Sequence, residues 1–131
     1  MTDMDTKPIG LLIAAMGGEG GGVLRQWLVD AAMAHGLAVQ STSIPGVAQR
    51  TGATTYYLEM QSDKGTAVSG SNTKPRPVMS LYPLAGNVDI MVASELIEAG
   101  RAMQNGFVTP NCTTLIASTH RVFAVGERTA M

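Results

Sequence analysis

The glycine run at positions 17–22 limits what this chain can fold into more than any other feature. The segment Ile9-Gly10-Leu11-Leu12-Ile13-Ala14-Ala15 is apolar without alternation, and Gly17-Gly18-Glu19-Gly20-Gly21-Gly22 follows it. An unbroken apolar run of this kind predicts a strand covered on both faces. The glycine run has too little conformational preference for regular structure and predicts a turn. Apolar side chains then return at Val23, Leu24, Trp27, Leu28, Ala31 and Ala32. That is helical spacing, and it predicts an inward face with Arg25, Gln26 and Asp30 turned outward. His35-Gly36 closes the helix, with Gly36 in the position that favours a left-handed backbone.

Further along, Leu37–Ser43 reads as a second strand and Ile44–Gly52 as a loop punctuated by Pro45, Gly46 and Gly52. Thr54–Met60 is rich in strand formers, whereas Gln61–Pro77 is polar and reads as an exposed loop. Asp89–Ser94 reads as an apolar strand, with Ser94 placed to cap a helix over Glu95–Asn105 that Gly106 ends. Thr113–Ala117 and a short Arg121–Val125 complete the series. Strand, helix and strand at this spacing predict a right-handed βαβ unit. The expected fold class is α/β: a three-layer, Rossmann-like arrangement with a mostly parallel sheet and helices on both faces. With 131 residues, no repeat and no linker, the whole of 1–131 is expected to be a single domain. Ligands of such sheets lie beyond the C-terminal strand ends, where Gly17–Gly22, Ile44–Gly52 and Ser94–Glu95 are expected.

Composition removes several classes of function. A net charge of −1 and the lack of a basic run give no pull toward nucleic acid or an anionic membrane. Aromatic residues make up 5% of the chain, too few for a platform that stacks single-stranded bases. Ile9–Met16 falls well short of the roughly 20 apolar residues that a membrane span needs. Met1–Lys7 carries Asp3 and Asp5 in place of the positive start of a signal peptide. Cys112 is the single cysteine, so there is no intrachain disulfide, and no Cys-x-x-Cys spacing exists for zinc or an iron–sulfur cluster. A reducing, cytoplasmic location is expected, with no metal held by the chain itself.

The glycine turn suits an anion in principle, because it combines close backbone approach with the free N–H groups of a helix start. The usual phosphate motifs do not fit. A Gly-x-Gly-x-x-Gly match from Gly17 fails at Glu19, and one from Gly18 fails at Val23. A P-loop needs Lys and then Ser or Thr, where Val23 and Leu24 stand. No acid lies between Asp30 and Glu59, so the ribose partner of a dinucleotide site, due about 20 residues on, is missing. Glu19 repels a phosphate, and caps the helix or acts on a partner's cofactor instead. A tight crossover with no ligand, a direct ligand contact and a protein–protein role all remain open for the turn. The second candidate is Pro45-Gly46-Val47-Ala48-Gln49-Arg50-Thr51-Gly52, which sets Gln49 and Arg50 beside the crevice. Arg50 either clamps a carboxylate or phosphate or is a solvated loop residue. Glu95 and Glu98 share a helix face, which is commonly a solvated one, and Glu95 stands at the crevice end. His35, His120 and Cys112 read as structural.

Taken together, three segments resemble a known family. They are Ile9–Leu24 with its glycine turn, Ile44-Pro45-Gly46-Val47-Ala48-Gln49-Arg50-Thr51-Gly52, and Asp89-Ile90-Met91-Val92-Ala93-Ser94-Glu95-Leu96-Ile97-Glu98-Ala99. In this order and spacing the chain resembles the gamma-type domain of the 2-oxoacid:ferredoxin oxidoreductases, over nearly its whole length. It looks most like the beta-subunit branch that acts on indolepyruvate. The resemblance implies CoA-dependent oxidative decarboxylation of a 2-oxo acid, with electrons passed to ferredoxin. It also implies that thiamine diphosphate, magnesium and iron–sulfur clusters sit on a partner subunit, with CoA as co-substrate and the isolated chain inactive. Carried over by position, Gly17, Gly18, Gly20 and Gly22 match the family's turn. Gly46, Gln49, Arg50 and Gly52 match its second loop, and Glu95 matches the acid that opens the later helix. Glu19 joins these as a candidate cofactor-binding residue, although many relatives carry Gln there. The family domain commonly continues beyond the point matching Met131, so a truncated chain or a fragment of a longer subunit is expected. The competing reading is a stand-alone nucleotide- or CoA-binding α/β module.

Overall fold

The structure is a computed structural model that describes residues 7–46, 52–62, 77–121, 123 and 128–130. Its elements run β1 (Ile9–Ala15), α1 (Gly21–Ala34), β2 (Leu37–Ile44), β3 (Thr54–Ser62), β4 (Ile90–Ala93), α2 (Leu96–Gln104) and β5 (Thr114–Ala117). The strands form one sheet in the order β2-β3-β1-β4-β5. β3 is antiparallel to both its neighbours, β1 and β2, while β4 is parallel to β1 and β5. It follows that β1, β2, β4 and β5 point one way and β3 points the other. The expected α/β class and the shared strand direction are therefore present, in a mixed sheet. The difference lies at β3, which is inserted between β1 and β2. The 45–53 connection is short enough to return the chain beside β2 as a hairpin, so no crossover helix is needed there.

β1 is covered on both faces, which accounts for its unbroken apolar run. Leu11, Ile13 and Ala15 join Leu58 beneath α1, where Leu24, Leu28 and Val29 pack. Leu12 and Ala14 face the other way with Tyr57, Met91 and Ala93, against Ala99 and Ala102 of α2. One helix on each face makes the expected three layers.

α1 is rotated relative to the face its spacing suggests. Gly21, Leu24, Leu28 and Ala32 line the sheet side, whereas Val23 and Trp27 are 53% and 68% exposed. Ala31 is exposed as well. Arg25, expected outside, is half-buried and donates from Nη1 to Ser41 Oγ at 3.3 Å. Two residues of the run expected to lie outside regular structure, Gly21 and Gly22, are themselves the first residues of α1. The proposed strand at Arg121–Val125 lies largely outside the described residues, and Arg121 and Phe123 are not in strand conformation.

Candidate functional site

With four strands sharing a direction, the turns after Ala15, Ile44, Ala93 and Ala117 all leave from one end of the sheet. Pairing of Ala15 with Thr54, Ile44 with Thr55, Ala14 with Ala93 and Ala93 with Ala117 sets them side by side. The chain leaving β1 crosses the sheet on the α1 face, and the chain leaving β4 crosses on the α2 face. The gap between the ends of β1 and β4 is therefore a topological switch point, the usual ligand position in open α/β sheets. The three loops expected at the C-terminal strand ends do start there.

The glycine turn divides by physical cause. Gly18 and Gly20 have φ of 83° and 80°, which side-chain-bearing residues rarely adopt. Around Gly17, Gly18 and Gly20 a Cβ would meet no atom within 4 Å, so this stretch is open on its outer side. At Gly21, by contrast, a Cβ would stand 2.6 Å from Ala15 Cβ and 2.8 Å from the Tyr56 ring. Gly22 is looser, with the Tyr56 hydroxyl 3.4 Å from its Cβ position. Gly20 is the N-cap of α1; it supplies no side-chain hydrogen bond, although its carbonyl accepts from Leu24 N at 2.9 Å.

Glu19 reaches across the switch point. Its Oε2 accepts from Met16 N at 2.9 Å and also from the Ser94 hydroxyl. Its own amide donates to Met16 O at 3.1 Å. Ser94 is thus a partner of the glycine turn and not the cap of α2. That cap is Glu95, whose carboxylate accepts from Glu98 N at 3.1 Å. Glu95 is extended, at φ −148°, so its longer side chain folds back over the first helical turn.

The paired acids are not a solvated face. Glu95 and Glu98 are 3% and 6% exposed, because the face of α2 that carries them turns toward the sheet. Arg101 Nη1 donates to Glu98 Oε1 at 2.8 Å. Burial nevertheless pushes the Glu98 carboxyl above the ordinary glutamate range; Glu95 adds to the rise and Arg101 opposes it. A cleft of about 60 Å³ opens beside Glu98 and Arg101, lined also by Leu12, Ala14, Met91 and Thr55. The main chain closes the far side of the site, where Leu96 N donates to His120 O at 2.7 Å.

Gly46 and Gly52 form the neck of the second loop. A Cβ at Gly46 would lie 2.5 Å from Ala53 O and 3.1 Å from Gly52 Cα. Gln49 and Arg50 lie outside the described residues. Of the candidates, Gly17, Gly18, Glu19, Gly20, Gly22, Gly46, Gly52 and Glu95 therefore gather at one end of the sheet. Tyr56 and the His120 carbonyl belong to the same surroundings and were not foreseen there, whereas Ser94 was expected at this end of the sheet but as a helix cap. Ser94 carried a signal, a serine at a strand end, but it pointed to the wrong partner. Cys112 is remote, just ahead of β5 at the opposite end of the sheet, with Sγ 3.5 Å from Val88 O. A lone thiol in that position does not fit an iron–sulfur cluster. At this end of the sheet Gly17, Gly18, Glu19 and Gly20 are exposed, whereas Glu95 is buried.

No described helix is long and apolar enough to cross a membrane. Among the described residues no group of three or more His, Cys, Asp or Glu is placed to hold a metal ion. A comparison with curated proteins gave no match. A family model described as pyruvate ferredoxin/flavodoxin oxidoreductase matches residues 10–129, which take in the glycine turn, the second loop and both helices. A match over almost the full length of the chain shows that it belongs to the pyruvate ferredoxin/flavodoxin oxidoreductase family.

Proposed function

We propose that the chain works as a gamma-type unit of a 2-oxoacid:ferredoxin oxidoreductase, the beta-subunit branch that takes indolepyruvate. In this reading it supports CoA-dependent oxidative decarboxylation in a cytoplasmic complex, with ferredoxin as the electron acceptor. The family match across the loops that meet at the switch point carries the proposal. The chain's part is to supply one wall of a composite site. Gly17, Gly18, Gly20 and Gly22 offer backbone to the partner's cofactor region, and Gly46, Gln49, Arg50 and Gly52 form the adjoining loop. Glu95 holds the start of α2 beside them. Thiamine diphosphate, magnesium and the iron–sulfur clusters belong to the partner subunit; bound there, they supply the carbanion and electron-transfer chemistry.

The test is reconstitution with a thiamine diphosphate-binding, cysteine-rich partner subunit, following ferredoxin reduction with indolepyruvate, pyruvate and CoA. Turnover is expected from the pair and not from this chain alone, with indolepyruvate preferred. Robust turnover by the isolated chain overturns the proposal. Calorimetry on the isolated chain with NAD, ATP and CoA addresses the rival reading, since tight NAD binding without a partner would mark a stand-alone nucleotide module.

A further inference from the structure

We propose that Glu19 and Ser94 act together as positioning residues that give the glycine turn its working shape, an inference that rests on the proposed composite site. Glycine loses more freedom on ordering than any other residue, so a run of them does not hold a shape by itself. Glu19 is the one residue in 17–22 that has a side chain. Around Gly17, Gly18 and Gly20 no atom beyond the neighbouring residues in the chain lies within 4 Å of a Cβ position, so tertiary packing on that side does not fix these residues. The main chain closes the turn with one hydrogen bond, from Glu19 N to Met16 O at 3.1 Å, and the Glu19 carboxylate supplies the side-chain tie that adds to it. A single oxygen, Oε2, accepts from Met16 N at 2.9 Å and from the Ser94 hydroxyl. Ser94 is itself anchored, because its amide donates to Ala14 O at 3.0 Å. The turn after β1 is thereby tied to the crest of β4, across the switch point where the site faces its partner.

The pattern requires an acceptor at position 19 and a donor at position 94. A glutamine carbonyl accepts the same two hydrogen bonds, whereas alanine at either position breaks the bridge. The bridge joins two turns outside the core, so its loss changes the order of the turn and leaves the sheet packing in place.

The experiment compares Glu19→Ala, Ser94→Ala, the double variant and Glu19→Gln. Amide exchange at Met16 and Glu19 in the free chain is expected to quicken about ten-fold in each alanine variant, the size of one lost charge-assisted hydrogen bond. Removing Ser94 as well as Glu19 adds nothing further, as two ends of one interaction require. Glu19→Gln restores protection. In the reconstituted complex kcat/KM for the 2-oxo acid falls about ten-fold in the alanine variants and recovers in Glu19→Gln, with partner affinity unchanged. Parent-like exchange in Glu19→Ala, additive effects in the double variant, or Glu19→Gln as impaired as Glu19→Ala would overturn the proposal. Exchange needs no turnover, so a parent complex that oxidises no 2-oxo acid counts against the functional reading while exchange still decides on the bridge.

Discussion

Gly46 lies against the carbonyl of Ala53, so close that a Cβ at position 46 would stand 2.5 Å from that oxygen. The obstacle is backbone and cannot swing aside. Gly46→Ala is expected to cost about 1–3 kcal/mol through forced displacement of the loop neck. Gly17→Ala, which enters open space, should stay within about 0.5 kcal/mol of the parent. Urea denaturation of the two variants measures the contrast, and equal midpoints would refute the account of the neck.

Gly21 offers a sharper test, since two effects there oppose each other. Alanine gains about 1 kcal/mol over glycine in helix propensity. Its Cβ, however, would sit 2.6 Å from Ala15 Cβ and 2.8 Å from the Tyr56 ring, where α1 meets β1 and β3. Close packing prevails, and Gly21→Ala should be less stable than the parent by about 1 kcal/mol. Pairing it with Tyr56→Leu, which removes the ring, should recover part of that loss in thermal denaturation.

Glu95 and Ser94 are neighbours with different tasks. Removing the N-cap carboxylate with Glu95→Ala should cost about 1 kcal/mol and expose the Glu98 amide to faster exchange. Ser94→Ala should leave the Glu98 amide protected, because the Ser94 hydroxyl serves Glu19. Residue-resolved hydrogen exchange separates the two.

Glu98 predicts a pH dependence. Burial raises its folded-state pKa above the unfolded value, and Arg101 does not fully offset the rise. The folded state therefore holds the proton more tightly. The associated stability is present below the unfolded pKa and is lost as the pH climbs through the folded one. Against Glu98→Gln, which does not titrate, the parent should lose ground as the pH rises from about 4, near the ordinary glutamate pKa, toward neutrality. Denaturation midpoints of both proteins across that range test the sign. A parent that gains on the variant instead would show that Arg101 outweighs burial.

Much of this architecture is legible in the residues because the signals are local. β1 announces itself by apolarity on both faces, and the helix ends by Gly36 and Gly106, whose φ values are 74° and 75°. The insertion of β3 is not legible, because strand order depends on which edges meet and not on any one segment's pattern. The facing of α1 is misread for a related reason. Val23, Trp27 and Ala31 are as apolar as the residues that pack inward, so the spacing permits more than one inward face. The steric demand at Gly21 decides between them, and it exists only once Ala15 and Tyr56 are in place. At the candidate site the glycines are readable from their spacing. The Glu19–Ser94 bridge is not, since its two ends are far apart in sequence and meet only through the pairing of β1 with β4.

The reversed direction of β3 bears on how the site can change. The loops after β1 and β4 feed helices, and altering their length would shift α1 or α2 across the core. The 45–53 connection feeds only the next strand of a hairpin, held at its base by Gly46 and Ala53. A change in the length of such a connection carries small entropic expense. Of the connections that follow β1, β2 and β4, this one alone can change in length without moving a helix.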